Sequence, residues 1–196
     1  MIEPHDQRAP ASAPLESPVI VFVVGPSGVG KSTIVRTFFK TAGLRFKYTS
    51  LDNIAAQYGQ RRGLIETARA QDLLKTLGAE AFFLAGMSAL FQQVGASNPK
   101  RIHVVDVGAG FQNALSMKYM SALHPMIYIH ASYKVAYERF FEHRNQGRTF
   151  EMHIEHEFSP TRNAIYRSAS SRIETDTLSV EDAAAQFGSI IRKLVD

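Results

Sequence analysis

An unbroken apolar run, Val19 to Val24, passes directly into Gly25-Pro26-Ser27-Gly28-Val29-Gly30-Lys31-Ser32. This junction constrains the fold more than any other stretch of the chain. A continuous apolar run reads as a parallel strand buried on both faces. After the glycines, Ile34, Val35, Phe38 and Phe39 recur at helical spacing, which predicts a helix over 31–42 with Gly43 as its C-terminal cap. The octapeptide matches G-x-x-x-x-G-K-[ST] in the strand-before, helix-after context that the motif requires. Its glycines let the backbone wrap an anion with N–H groups turned inward. The helix that follows adds unpaired donors and the positive end of its dipole. In this pattern Lys31 reaches the β- and γ-phosphates of a nucleotide, and the Ser32 hydroxyl ligates Mg²⁺. The implied ligands are ATP and Mg²⁺. The candidate nucleotide contacts are Gly25, Ser27, Gly28, Val29, Gly30, Lys31, Ser32 and Thr33, joined by Arg139.

The remaining pattern alternates strands and helices. Further strands are expected over 45–50, 102–107, 126–129 and 173–175. Helices are expected after Asp52, over 64–94 with a break near Gly78, and over 113–123, 132–143 and 161–171. A last one opens at Ser179, where Asp182 takes the place usual for Glu in a capping box. Alternation of this kind predicts an α/β three-layer sandwich with a mainly parallel sheet, of the P-loop nucleoside-monophosphate-kinase type. Ligands in such sheets sit at the carboxyl ends of the strands, where the glycine turn, Asp52 and Gly108-Ala109-Gly110 all fall. The expected organisation is a disordered tail over 1–17, rich in Pro and Ala, followed by one domain over 18–196. The polar stretch 145–159 reads as a solvated lid.

Composition excludes some functions. The 196 residues include no cysteine, so disulfide frameworks and thiolate chemistry are ruled out and a cytoplasmic setting fits. No apolar run of ~18 residues is visible, so no membrane span is expected. The net charge of +4 is modest, and Arg61-Arg62 and Lys100-Arg101 read as solvated turns rather than a nucleic-acid face. The expected partner is a small-molecule hydroxyl acceptor, without nucleic acid or membrane, for a monomer or weak dimer. His153 and His156 lie among Glu151, Glu155 and Glu157, but lack the spacing of a metal motif.

Several downstream segments go further. Tyr48-Thr49-Ser50-Leu51-Asp52-Asn53-Ile54 with Gly59, Gly78-Ala79-Glu80-Ala81-Phe82-Phe83, Gly108-Ala109-Gly110 and Arg162-Asn163-Ala164-Ile165-Tyr166 with Ala169 stand in that order, ahead of Asp176 to Asp182. With the P-loop, they make the chain resemble the shikimate kinase family from about Val19 onward. The resemblance implies a small-molecule kinase that uses MgATP. It implies that Asp52 is the second Asp of the family's Asp-x-Asp and touches the acceptor hydroxyls, while Ser50 stands at the first, metal-linked Asp. Phe83 stands where a carboxylate-binding Arg is expected. Arg162 matches the family's other acid-binding Arg, and Arg148 the lid Arg near the transferring phosphate, with Arg144 as a substitute. Gly108, Ala109 and Gly110 match its glycine triplet beside the acceptor.

Phosphoryl transfer calls mainly for positioning and charge neutralisation. Lys31, Asp52 and Arg148 are the candidate catalytic groups; Asp52, Phe83, Gly108, Ala109, Gly110 and Arg162 are the candidate acceptor contacts. For Asp106, inside the apolar strand, two readings stand: a metal carboxylate, with Ser32, that replaces the Asp lost at Ser50, or a strand-end Asp bonded to backbone. Asp52 also has a plain reading, as a helix cap. Phe cannot supply the bidentate charge-assisted pair that a carboxylate takes from Arg. The expected acceptor is therefore shikimate, bound weakly, or a less acidic and more apolar relative. Two other readings remain open: an ATP-binding sensor, or a kinase for a different small molecule such as a nucleoside.

Overall fold

The computed structural model describes residues 18–43, 45–98, 100–113, 120, 124–144 and 147–195, with the side chains of Arg144 and Val195 excepted. The tail expected over 1–17, most of the helix expected over 113–123 and the Arg144 side chain lie outside the described residues. In chain order the elements are β1 (Val19–Val24), α1 (Lys31–Phe39), β2 (Phe46–Ser50), α2 (Leu51–Arg61), α3 (Ala70–Gly95), β3 (Ile102–Asp106) and a 3₁₀ turn (Ala109–Phe111). These are followed by β4 (Met126–His130), α4 (Tyr133–Arg144), α5 (Phe150–Glu157), α6 (Pro160–Arg167), β5 (Ser171–Glu174) and α7 (Val180–Val195).

The strands form one sheet in the order β2-β3-β1-β4-β5, and every pairing is parallel. The apolar run at β1 is explained by its central place. Ile20, Phe22 and Val24 enter one core layer with Leu51 of α2 and Leu73, Phe82 and Leu90 of α3. Val21 and Val23 enter the other, with Ile34 and Phe38 of α1 and Phe187 and Ile191 of α7. Successive side chains of a strand point to opposite faces, so a strand covered on both sides has no polar position to spare. This is the three-layer α/β sandwich expected from the alternation.

Helix α3 breaks at Gly78, whose φ of 76° and ψ of 170° are not helical, as the glycine in the pattern suggested. Its buried face carries Leu73, Phe82, Phe83, Gly86, Met87, Leu90 and Val94. By length and apolarity alone this helix would also pass for a membrane span, a property that the sequence reading overlooked. The break and the packed face are those of a core helix.

Two other expectations are corrected. Helix α1 ends at Phe39 rather than near Gly43. Lys40 N–H turns back to Thr37 O at 3.1 Å, and Gly43 O instead receives Phe46 N–H at 3.2 Å on entry to β2. The stretch expected to be an irregular lid contains helix α5. Thr149 caps it, accepting from Met152 N–H at 3.3 Å. His153 on this helix is fully buried and packs against Tyr137, Phe140 and Phe158, which a solvated segment would not do. Neither of its ring nitrogens has a hydrogen-bond partner among the described residues, and burial pushes its pKa down, so the neutral ring behaves as an aromatic core residue. Ser179 does cap α7: Asp182 N–H donates to its hydroxyl at 3.0 Å, and that hydroxyl donates to the Asp182 carboxylate at 2.6 Å.

Helix α3 packs tightly on the 3₁₀ turn at Gly86, where a β-carbon would lie 2.4 Å from the Phe111 ring. Gly86→Ala should therefore destabilise the domain through overpacking by about 1–3 kcal/mol. Urea unfolding read by circular dichroism checks this; an unchanged midpoint would mean that the ring has room to move.

Candidate active site

Because all strands run in parallel, their carboxyl ends open on one edge, and a cavity of about 890 Å³ lies there. The turn after β1 forms one wall. Gly28 sits at φ 91°, and a β-carbon on it would lie 2.0 Å from Ala136 O of α4, so no larger residue fits between loop and helix. Ser27 to Thr33 line the cavity, as does Arg139, which donates to Thr175 Oγ1 at 3.1 Å and Thr175 O at 2.9 Å. Gly25 does not line it. Its carbonyl accepts from Lys31 Nζ at 2.7 Å and from Gln112 Nε2 at 3.1 Å. Lys31 Nζ also donates to Pro26 O at 2.8 Å, so the side chain lies across its own loop.

Behind this wall, Ser32 Oγ donates to Asp106 Oδ2 at 2.5 Å, and Tyr48 OH donates to the same oxygen at 3.2 Å. Burial, then the Asp106 charge, raise the Tyr48 pKa, which keeps the phenol protonated as a donor. Asp106 ends β3 and stands in register with Val23 of β1 and Ser50 of β2. A hydroxyl and a carboxylate so joined are hard oxygen donors of the kind that suit Mg²⁺. The plain reading of Asp106, bonded only to backbone, is not what these side-chain contacts show.

At the end of β2, Ser50 rather than Asp52 caps α2, with Asn53 N–H 3.4 Å from the Ser50 hydroxyl. Asp52 is in the first helical turn. Its carboxylate faces Gly108, where a β-carbon would lie 1.9 Å from Asp52 Oδ2. Glycine at 108 is thus a condition for the Asp52 carboxylate to be where it is. Asp52, Gly108, Ala109 and Gly110 all line the cavity. Phe83, expected to contact the acceptor, is not among the residues that line the cavity and lies in the core layer. Its neighbour Phe82, equally buried, reaches the cavity wall, its ring tilted against Phe111 with centroids 4.3 Å apart. Successive residues of a helix point about 100° apart, so only one of the pair can take the cavity side.

Arg148 and Arg162 both line the cavity, and both turn to one carboxylate, Glu157. Glu157 is 1 % exposed. Arg162 Nη1 lies 3.0 Å from its Oε2, Arg148 Nη1 3.5 Å from its Oε1, and His156 Nδ1 3.1 Å from its Oε1. Ser27 N–H, within the P-loop itself, donates to Oε2 at 2.9 Å. Burial alone would raise this carboxyl's pKa, but Arg162, the Ser27 N–H, Lys31 and His156 together hold it down at about 2. Arg162 Nη2 also donates to Ala109 O at 2.9 Å, which ties α6 to the loop after β3.

The backbone at Glu157 is fixed as well. Tyr166 OH lies 3.2 Å from Glu157 O and 2.8 Å from Gln112 Oε1, while Gln112 Nε2 reaches Gly25 O and, at 2.9 Å, Val107 O. Glu157, Gln112 and Tyr48 were not singled out as site residues from sequence. Glu157 was one of several acidic residues in a polar stretch, and nothing in its spacing set it apart.

A family model described as shikimate kinase matches residues 27–193. A comparison with curated proteins finds no match. Among solved structures, shikimate kinase from Bacteroides thetaiotaomicron is similar, with TM-score 0.64 at 17% identity, covering 89% of this chain and 98% of that one. Shikimate kinase from Acinetobacter baumannii in complex with shikimate gives TM-score 0.62 at 17% identity, covering 91% and 96%. The Aquifex aeolicus shikimate kinase gives 0.57 at 15% identity, covering 89% and 97%. At such identities the structural likeness speaks for the fold.

The ionised Glu157 has a lower carboxyl pKa folded, about 2, than the ordinary 4.5, so it adds stability that is fully present above about pH 4.5 and is lost as pH falls toward about 2. The contribution at neutral pH is on the order of 3 kcal/mol. Wild type should lose stability over this acid range more steeply than Glu157→Gln, by roughly that amount. Urea midpoints measured at several pH values test this, and parallel pH dependences for the two proteins would contradict it.

Proposed function

The chain belongs to the shikimate kinase family, and from that premise we propose that it transfers the γ-phosphoryl group of ATP to a hydroxyl of shikimate or a related small compound. The observation that carries the reading is the meeting, around one cavity, of the P-loop, the Ser32–Asp106 pair, Asp52 and Arg148. The nucleotide's phosphates would occupy the turn between Gly28 and Thr33, held by backbone N–H groups and the N-terminus of α1. Ser32 and Asp106 would hold Mg²⁺, which when bound neutralises charge on the β- and γ-phosphate oxygens. Their joined oxygens fit such an ion, and Asp106 is opposite Ser50 in register, so it can stand in for the carboxylate missing there.

Lys31 would leave its own loop carbonyls for the phosphates, and Arg148 would complete the positive cradle for the charge that develops in transfer. Asp52 would orient the acceptor hydroxyl and accept its proton. The acceptor oxygen forms a bond to the γ-phosphorus as the bond to the β,γ-bridging oxygen breaks, and ADP leaves. Helix α5 would help exclude water from the transferring group.

A second reading, a nucleotide-responsive regulator without turnover, draws on Lys31 lying across Gly25 and Pro26 and on Glu157 holding the Ser27 N–H. ADP release from MgATP separates the two. For a kinase, acceptor should stimulate release, and Lys31→Ala should lower the stimulated rate about a hundredfold or more. Nucleotide binding with no stimulation by any hydroxyl acceptor would favour the regulator. Asp106→Asn should raise the Mg²⁺ concentration needed for half-maximal rate by about tenfold; an unaltered magnesium titration would remove Asp106 from the metal site.

A further inference from the structure

Arg162 is the cation at the acceptor end best placed to hold an anionic group, since it lines the cavity at 8 % exposure. It already has one. Glu157 lies 3.0 Å away and is also bound by Ser27 N–H and Arg148. We infer that Glu157 is a built-in counter-ion that makes this site select an uncharged hydroxyl acceptor over a carboxylate. The inference rests on the kinase reading above for where the acceptor sits.

The charge of Arg162 is met without a ligand, by Glu157 at 3.0 Å, and Asp52 is a further carboxylate that lines the same cavity. A carboxylate entering here would have to take Arg162 from Glu157. That would leave a buried ionised group without its main partner, the costly way to break a buried pair. It would also add negative charge beside a triphosphate. An uncharged acceptor does neither, and it can still be held by hydrogen bonds to Asp52.

Glu157 is not free to swing aside. Its carboxylate is held by Arg162 at 3.0 Å, Ser27 N–H at 2.9 Å and His156 at 3.1 Å, and its backbone carbonyl lies 3.2 Å from Tyr166 OH. The carboxylate is a fixed part of the wall, held by α5 on one side and α6 on the other. Its position between the two arginines, rather than a mere deficit of positive charge, sets the preference.

The test compares shikimate with its carboxamide, which keeps the hydroxyls and loses the charge, by calorimetric titration into the full chain saturated with MgADP. Wild type should bind the carboxamide about tenfold tighter than the acid. In Glu157→Gln, with folding verified by circular dichroism, that preference should disappear, with a gain for the acid about tenfold larger than any change for the carboxamide. Wild type binding the acid at least as tightly as the carboxamide would overturn the inference. So would an unaltered preference in Glu157→Gln, or no binding of either compound to either protein. Should the variant not fold, the wild-type ratio decides alone. Failure of the kinase reading is seen separately, as MgATP turnover that no acceptor stimulates.

Discussion

The parallel direction of all five strands is the constraint on which the site depends. It brings the ends of β1, β2, β3 and β4 to the same edge, so residues far apart in the chain become neighbours there. Asp106 is in register with both Val23, just before the glycine turn, and Ser50, just before α2. That registration places a carboxylate beside the first turn of α1, where Ser32 waits. An antiparallel β3 would put the same residue on the opposite edge. The apolar content of β1 is the cost of the central position: both faces are covered, and only the turn that follows can be polar.

Most of this order was legible in the chain. The octapeptide from Gly25 to Ser32 combines a length, a glycine spacing and a flanking pattern that few folds accommodate. The Gly78 break in α3 and the Ser179 cap of α7 were readable because each depends on local backbone chemistry. Where the reading went astray, tertiary contacts had outweighed local signals. Gly43 looked like a helix cap, but the chain turns earlier and uses that carbonyl to enter β2. The polar sequence around His153 looked solvated, yet a neutral imidazole among three aromatic rings packs like one of them. Asp52 looked like a cap because the capping residue, Ser50, also ends the strand.

The site was legible in its residue types more than in its pairings. Arg148, Arg162 and Asp52, which the family resemblance implied, come to one cavity with Asp106, which stood out within an apolar strand. That both arginines share one buried carboxylate depends on the path of α5 and α6, which periodicity does not encode. The pair Phe82-Phe83 shows the same limit. Either ring could have reached the cavity wall, and Phe82, in contact with Phe111, is the one that does.

The two arginines differ in how firmly they are held, and this bears on which one can serve a transferring phosphate. Arg162 is nearly enclosed, with Glu157 at 3.0 Å and Ala109 O at 2.9 Å. Arg148 keeps 29% of its side-chain surface and reaches Glu157 only at 3.5 Å. Removing Arg162 from Glu157 would strand a buried charge; moving Arg148 would leave the stronger pair and the Ser27 N–H in place. The looser arginine is therefore the one whose charge is available at low energetic cost to a phosphoryl group beside Ser27. The tighter one is locked between a carboxylate and a carbonyl. A single buried Glu thus divides two chemically identical side chains into a movable cation and a fixed strut.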